Sequence, residues 1–184
     1  MLNFYFIYPY LIFMEYPKYL IPMLRTDHAG ETGAVFIYRA ILMVARDDEI
    51  ICFAKKHLKT ESEHLILIEQ ILEKKYRSKL IPLWKIAGFL TGFLPSFFGK
   101  KTILATIFYV ESFVEKHYQQ QIDALGSQKK YKSIKKLLKS LQDDEILHKD
   151  EALFEAKNFN KLQKLWGSFV EKGSLLAVRV SQKI

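Results

Sequence analysis

The sequence predicts an all-α protein, a four-helix bundle with a long apolar crossover between its halves and an extra C-terminal helix. Three observations carry this reading. Apolar residues recur at helical spacing along most of the chain, and no alternating strand pattern competes. Glu-x-x-His occurs twice, as Glu61–His64 and Glu145–His148, and a further glutamate precedes each copy, Glu31 and Glu111. Prolines are confined to positions before residue 23 and to 82–95, which leaves the rest free for long helices. At 184 residues, 49% hydrophobic and 26% charged, the chain is long enough for one domain with a substantial core.

Residues 1–22 form an apolar, aromatic extension, expected to be disordered or interfacial. Its apolar run, residues 2–14, has no basic leader and no small-residue cleavage site, Pro9 interrupts it, and it is too short to span a bilayer. The folded domain is expected over 23–184. Thr26-Asp27 offers an N-cap for a helix from about His28 to Ala45, with Glu31 in its first turns. Asp47 or Asp48 caps the next helix, which the pattern carries to about Arg77. Residues 79–100 differ in kind. They are apolar, and Pro82, Gly88, Gly92 and Pro95 break them, so a short helix or helical hairpin lying on a membrane surface is expected. A helix over about 101–125 ends at Gly126-Ser127, and another covers about 130–157 with a lysine-rich start. The last runs from about Lys161 to Val180, with Leu165, Phe169, Leu176 and Val180 at packing intervals.

Residues three apart share one face of a helix, so each Glu-x-x-His aims a carboxylate and an imidazole at one point. The turns then set the heights. The midpoint of Glu31 and Glu61 is Arg46, and that of Glu111 and Glu145 is Gln128, both at predicted turns. Two antiparallel hairpins therefore each level two carboxylates and an imidazole. The gap from Glu61 to Glu111 supplies the single crossover of a ferritin-like bundle. Joined, the hairpins gather Glu31, Glu61, His64, Glu111, Glu145 and His148 around one small volume. Four carboxylates so placed repel one another unless cations compensate. Oxygen-rich ligands with one histidine per metal suit iron or manganese better than zinc. Two irons, with Glu61 and Glu145 bridging and Glu31 and Glu111 terminal, are the expected occupants.

Neighbouring residues draw weaker expectations. Asp144 is placed to hold a ligand imidazole from behind. Tyr118, seven residues past Glu111, returns to the same face and is a candidate to line a substrate channel. Glu115 reads as a partly exposed residue, His28 as an aid to helix initiation, and Cys52 as a small buried residue. His57 and His117 have no evident partner. One cysteine excludes an intrachain disulfide and a thiolate metal site. The net charge of +8 suits an anionic membrane surface, and a nucleic-acid role rests on charge alone. No Gly-x-Gly-x-x-Gly fingerprint is present.

From Leu24 to the C-terminus the sequence resembles the demethoxyubiquinone hydroxylases, di-iron monooxygenases of ubiquinone biosynthesis. The segments that carry the resemblance are LRTDHAGETGA, ESEHL, IPLWKIAGFLTG, Phe98-Gly99-Lys100, VESFVEKHYQQQI and DDEILHKD, in that order. The family's iron ligands fall on the same six residues that the spacing selects. Glu115 and the lysine-rich helix start are local departures.

The resemblance implies ring hydroxylation of a polyprenylated demethoxy-benzoquinone or quinol. Two Fe ions per chain would serve it, with O2 as co-substrate and a reductant such as NADH. It also implies a peripheral membrane location, on the cytoplasmic face of a bacterial inner membrane or the mitochondrial matrix face. Partners would be the polyprenyl quinone, the membrane surface, other ubiquinone-synthesis proteins and further copies of the chain. Two other readings stay open at this point: a ferritin-like iron-handling or peroxidase protein, and a non-catalytic lipid-binding scaffold of a quinone-synthesis complex.

Overall fold

The computed structural model describes residues 14–184; residues 1–13, the greater part of the expected extension, lie outside the described residues. Six helices follow in order: α1 Ile21–Val44, α2 Asp48–Ile71, α3 Ile81–Ser96, α4 Lys100–Leu125, α5 Lys132–Ala156 and α6 Lys161–Ser181. Short 3-10 turns at Lys18–Leu20, Lys74–Tyr76 and Lys129–Tyr131 mark one end of the bundle. Among the described residues there is no strand.

The hairpins α1–α2 and α4–α5 form the four-helix bundle. α3 packs on α1, α6 packs on α4, and the two straddle the seam between α1 and α4. The α1–α3 crossing is close because Gly88 and Gly92 have no side chains. A Cβ at either would run into the backbone of α1, at Gly33 and Ile37 respectively. Gly167 of α6 fits against the Tyr109 ring of α4 in the same way.

Several local expectations change. α1 starts at Ile21, not His28, because Pro22 presets the first turn. Thr26 does not cap; its hydroxyl donates to the Pro22 carbonyl one turn back, 3.1 Å away. α2 stops at Ile71 instead of continuing to Arg77, and the Arg77 guanidinium folds back onto the carbonyls of Leu72 and Glu69. Asp47 is the N-cap of α2, accepting from the Ile50 N–H at 3.0 Å. Of the two forms expected for the crossover, the structure has the single short helix. On α6 the expected packing residues Leu165, Phe169 and Leu176 are exposed, and Gln163, Gly167, Val170 and Ser181 face inward. Close approach to Tyr109 favours a small residue inward, which turns the large apolar ones out. Within the N-terminal stretch, Leu20 is buried and the Tyr16 hydroxyl donates to the Ile71 carbonyl at 3.0 Å.

Two apolar clusters fill the bundle. One, toward the α1–α2 turn, includes Ile37, Ile41, Phe53, Leu104 and Ile107. The other, toward the 3-10 turns, includes Leu24, Ile68, Ile122, Leu138 and Leu141. The glutamates and histidines singled out above lie at the heights between them.

Candidate metal centre

The fold brings all six residues together: Glu31 from α1, Glu61 and His64 from α2, Glu111 from α4, and Glu145 and His148 from α5. None is more than 4% exposed. They form two overlapping groups, Glu31–Glu61–His64–Glu145 and Glu61–Glu111–Glu145–His148, and in each the ligating atoms lie within 4.8 Å of one another. Glu61 and Glu145 belong to both groups, the place a bridging carboxylate would take.

Each imidazole turns Nδ1 inward. His64 Nδ1 is 3.0 Å from Glu145 Oε1 and 3.7 Å from Glu31 Oε2. His148 Nδ1 is 2.9 Å from Glu61 Oε1 and 3.3 Å from Glu145 Oε2. His64 Nε2 points away from the centre and pairs with Asp144 Oδ2 at 3.2 Å, so Asp144 sits behind His64.

Burial raises the carboxyls of Glu61 and Glu111 well above the usual range, and the carboxylate of Glu145 adds to both. Burial alone would raise Glu145 as well, but the imidazoles of His148 and His64 beside it hold it below its ordinary value. Desolvation opposes charge on His64, yet its contacts with Asp144, Glu145 and Glu31 raise it well above the ordinary histidine value. His148 is raised for the same reason, chiefly by Glu145. Without a metal, then, the cluster holds its own protons as counter-charge.

The residues fit a pair of metal ions. Glu61 Oε1, Glu145 Oε2 and His148 Nδ1 are buried with no hydrogen-bond partner. The short His148–Glu61 approach satisfies distance but not alignment. Buried lone pairs that converge without donors are the arrangement a cation satisfies. Oxygen-rich ligation with one imidazole per group suits iron or manganese.

Tyr118 donates to Glu31 Oε1, and Tyr38 donates to Glu111 Oε1 at 3.3 Å. Burial first, then the adjacent carboxylates, pushes both phenols well above their ordinary value, so both are donors at neutral pH. Sequence reasoning reached Tyr118 and missed Tyr38. The signal was available, since Tyr38 follows Glu31 by seven residues as Tyr118 follows Glu111.

Both unpartnered histidines find places. His57 packs edge-on against His148, ring centroids 4.1 Å apart, with its Nε2 3.2 Å from Glu151 Oε2. Burial, aided by His148 and Lys56, lowers it to about 3, so it is neutral. His117 Nε2 is 3.3 Å from Asp27 Oδ1, which also accepts from Gln121 at 2.8 Å. Glu115 pairs with Lys149 at 2.7 Å. Two expectations are corrected. Cys52 is exposed, because it sits on the outer side of α2. His28 is not at a helix start; it is buried within α1 with Nε2 3.3 Å from Glu69 Oε1.

A cavity of about 260 Å³ opens from the centre into the space between α1, α4, α3 and α6. Glu31, Glu61, Glu111 and Glu145 form part of its wall, with Tyr118 and the apolar residues Ile37, Trp84, Val110 and Val170. Asp27 and His117 line it as well.

The family described as Ubiquinone biosynthesis protein COQ7 matches residues 18–181. A Dictyostelium discoideum protein named NADPH-dependent 3-demethoxyubiquinone 3-hydroxylase, mitochondrial, is 28% identical over 165 residues, 88% of this chain and 76% of its own length. The Caenorhabditis elegans protein of the same name is 28% identical over 170 residues, 88% of this chain and 89% of its own. A 3-demethoxyubiquinol 3-hydroxylase of Rhodospirillum rubrum is 28% identical over 164 residues, 88% and 76% respectively. With the match running from just before α1 to the end of α6, the chain belongs to the COQ7 family of ubiquinone biosynthesis proteins.

Proposed function

We propose that the chain hydroxylates the ring of a polyprenylated demethoxy-benzoquinol or quinone, the activity that its relatives' names carry. The observation that supports this best is the cavity. It runs from four ligand carboxylates into an apolar space of a size suited to a substituted ring, between two helices whose outer faces are apolar. A protein that only stores iron has no use for such a space beside its metal.

Glu31, Glu61, His64 and Glu145 would hold one iron, and Glu61, Glu111, Glu145 and His148 the other. When bound, the irons supply activation of O2, one atom of which enters the ring while the other leaves as water, at the expense of two electrons from a reductant. The chain's own residues do the rest. Ile37, Trp84, Val110 and Val170 exclude water and hold the ring against the carboxylate wall. Tyr118 and Tyr38 keep the outer carboxylates in place by donating to one oxygen of each. The Nε2 of His64 is tied to Asp144, which fixes the ring so that Nδ1 faces the metal. The relatives named NADPH-dependent make a nicotinamide cofactor the natural electron source, NADPH or NADH.

The substrate would arrive from a bilayer. Leu83, Ile86, Leu90, Leu94, Phe97 and Phe98 of the α3 region are exposed, as are Leu162, Leu165, Phe169 and Leu176 of α6. Among the described residues no helix is long and apolar enough to cross a membrane. Peripheral attachment through these two faces, with the basic surface toward anionic lipid, fits the chemistry of the substrate.

The test is iron content and turnover together. Anaerobic reconstitution should load about two irons per chain, and the loaded protein should hydroxylate a short-chain demethoxyubiquinone analogue with NADPH or NADH and O2. Glu145→Ala should lose both iron and turnover. Full turnover in that variant overturns the site, and an iron-loaded protein inert with the analogue overturns the reaction.

A further inference from the structure

The two halves of the centre are alike in their ligands and unlike behind them. His64 has a carboxylate at its back, with Nε2 3.2 Å from Asp144 Oδ2. The carboxylates of Glu61 and Glu145 approach His148 at Nδ1, and among the described residues no other carboxylate lies within 4.0 Å of its ring nitrogens. The reason is in the sequence. Asp144 directly precedes Glu145 on α5 and reaches across to His64; the residue in that place on α2, ahead of Glu61, is Thr60. His148 instead meets the edge of His57, a buried ring.

An imidazole whose outer N–H donates to a carboxylate is a more basic and better fixed metal ligand than one with no carboxylate behind it. We propose that the two metal positions are unequal, and that the Glu31–His64 position fills first because Asp144 backs His64. Asp144 acts here as a positioning residue through His64 and touches no metal itself. The inference rests on the dimetal reading above. Loss of a partner behind a ligand histidine weakens metal affinity by about 10- to 100-fold. Asp144 has a side chain 43% exposed, and solvent weakens its hold, so the lower end, about tenfold, is expected here.

Two close cations repel, so equal positions would also fill in two steps. The step that moves on substitution separates the cases. Metal-free protein is titrated with Mn2+ by calorimetry, as wild type, Asp144→Asn and Asp144→Glu. If the positions are unequal, Asp144→Asn weakens the first step by about tenfold and brings it toward the second. If they are equal, the first Mn2+ in that variant simply takes the His148 position, the first step stays put, and the second weakens; that result overturns the inference. An unchanged curve overturns it too. Asp144→Glu keeps the carboxylate and should keep the first step near wild type; a loss equal to that of Asp144→Asn makes the effect one of packing and overturns the assignment. Failure of the underlying reading looks different: fewer than two Mn2+ bound at saturation by the wild type, or two still bound by Glu61→Ala.

Discussion

The Tyr118 hydroxyl of α4 donates to Glu31 Oε1 of α1, which ties together the two helices that form the floor of the cavity. Tyr38 makes the reciprocal bond from α1 to Glu111 of α4, at 3.3 Å. Each outer carboxylate is thus held by a phenol from the other hairpin. Removing a donor from a buried acceptor leaves it unsatisfied. Tyr118→Phe should therefore destabilise the metal-free protein by about 1–3 kcal/mol in urea unfolding, and Tyr38→Phe, with the longer bond, by less. Equal and negligible costs for both would mean that neither phenol holds its glutamate.

The protonation of the centre makes a second prediction, about pH. Glu61 and Glu111 have carboxyls raised above their ordinary value of 4.5 in the folded state. Their contribution is in place below that value and is lost as pH rises through the folded one. His64 and His148 are raised above 6.5, so the stability they lend is full below 6.5 and is also lost as pH climbs through their folded values. Glu145 is lowered and acts only at the acid end, where its contribution fades as pH falls through its folded value. Four groups thus lose stability in the same direction. The metal-free protein should unfold at lower urea at pH 8.5 than at pH 6. Metal binds the deprotonated forms, so saturation with Mn2+ should remove or reverse that difference. A metal-free midpoint that rises with pH would contradict the assignment.

The clustering of the six residues was legible because helical periodicity and two turn positions settle both the face and the height of a residue on a hairpin. What lay across the bundle was not. His117 waits on Asp27, and His57 on Glu151 and His148, each brought from a different helix, and local spacing does not encode those meetings. α1 was misread at its start because Thr26-Asp27 has cap chemistry, while the structure spends Asp27 on Gln121 and His117. α6 was misread in its face. Apolar periodicity shows that a stripe exists but not whether protein or lipid covers it, and the large residues of that stripe point outward.

Gly88 and Gly92 carry a third prediction. Each lies where a Cβ would meet backbone of α1, which cannot step aside as a flexible side chain would. Gly88→Ala or Gly92→Ala should displace α3 and cost about 1–3 kcal/mol, despite the better helix propensity of alanine. Thermal unfolding would register the cost. Gly173, with open space around its Cβ position, is the control, and Gly173→Ala should be neutral or slightly stabilising.

The outward apolar residues of α3 and α6 make the last prediction. Phe97 and Phe98 are 63% and 77% exposed, and on α6 Leu165 and Phe169 are 69% and 67% exposed. Such side chains in water contribute little to the fold, so Phe98→Ser and Phe169→Ser should leave the melting temperature near wild type. In a bilayer interface each would gain roughly 1.5–3 kcal/mol on burial, so each substitution should weaken vesicle binding about tenfold or more. Co-sedimentation with vesicles containing anionic lipid measures this. The two helices straddle the cavity, so the proposed membrane contact would involve both. Loss from Phe98→Ser alone would confine the contact to the crossover. Loss from neither would leave these faces to a protein partner, whose binding the same variants would then weaken.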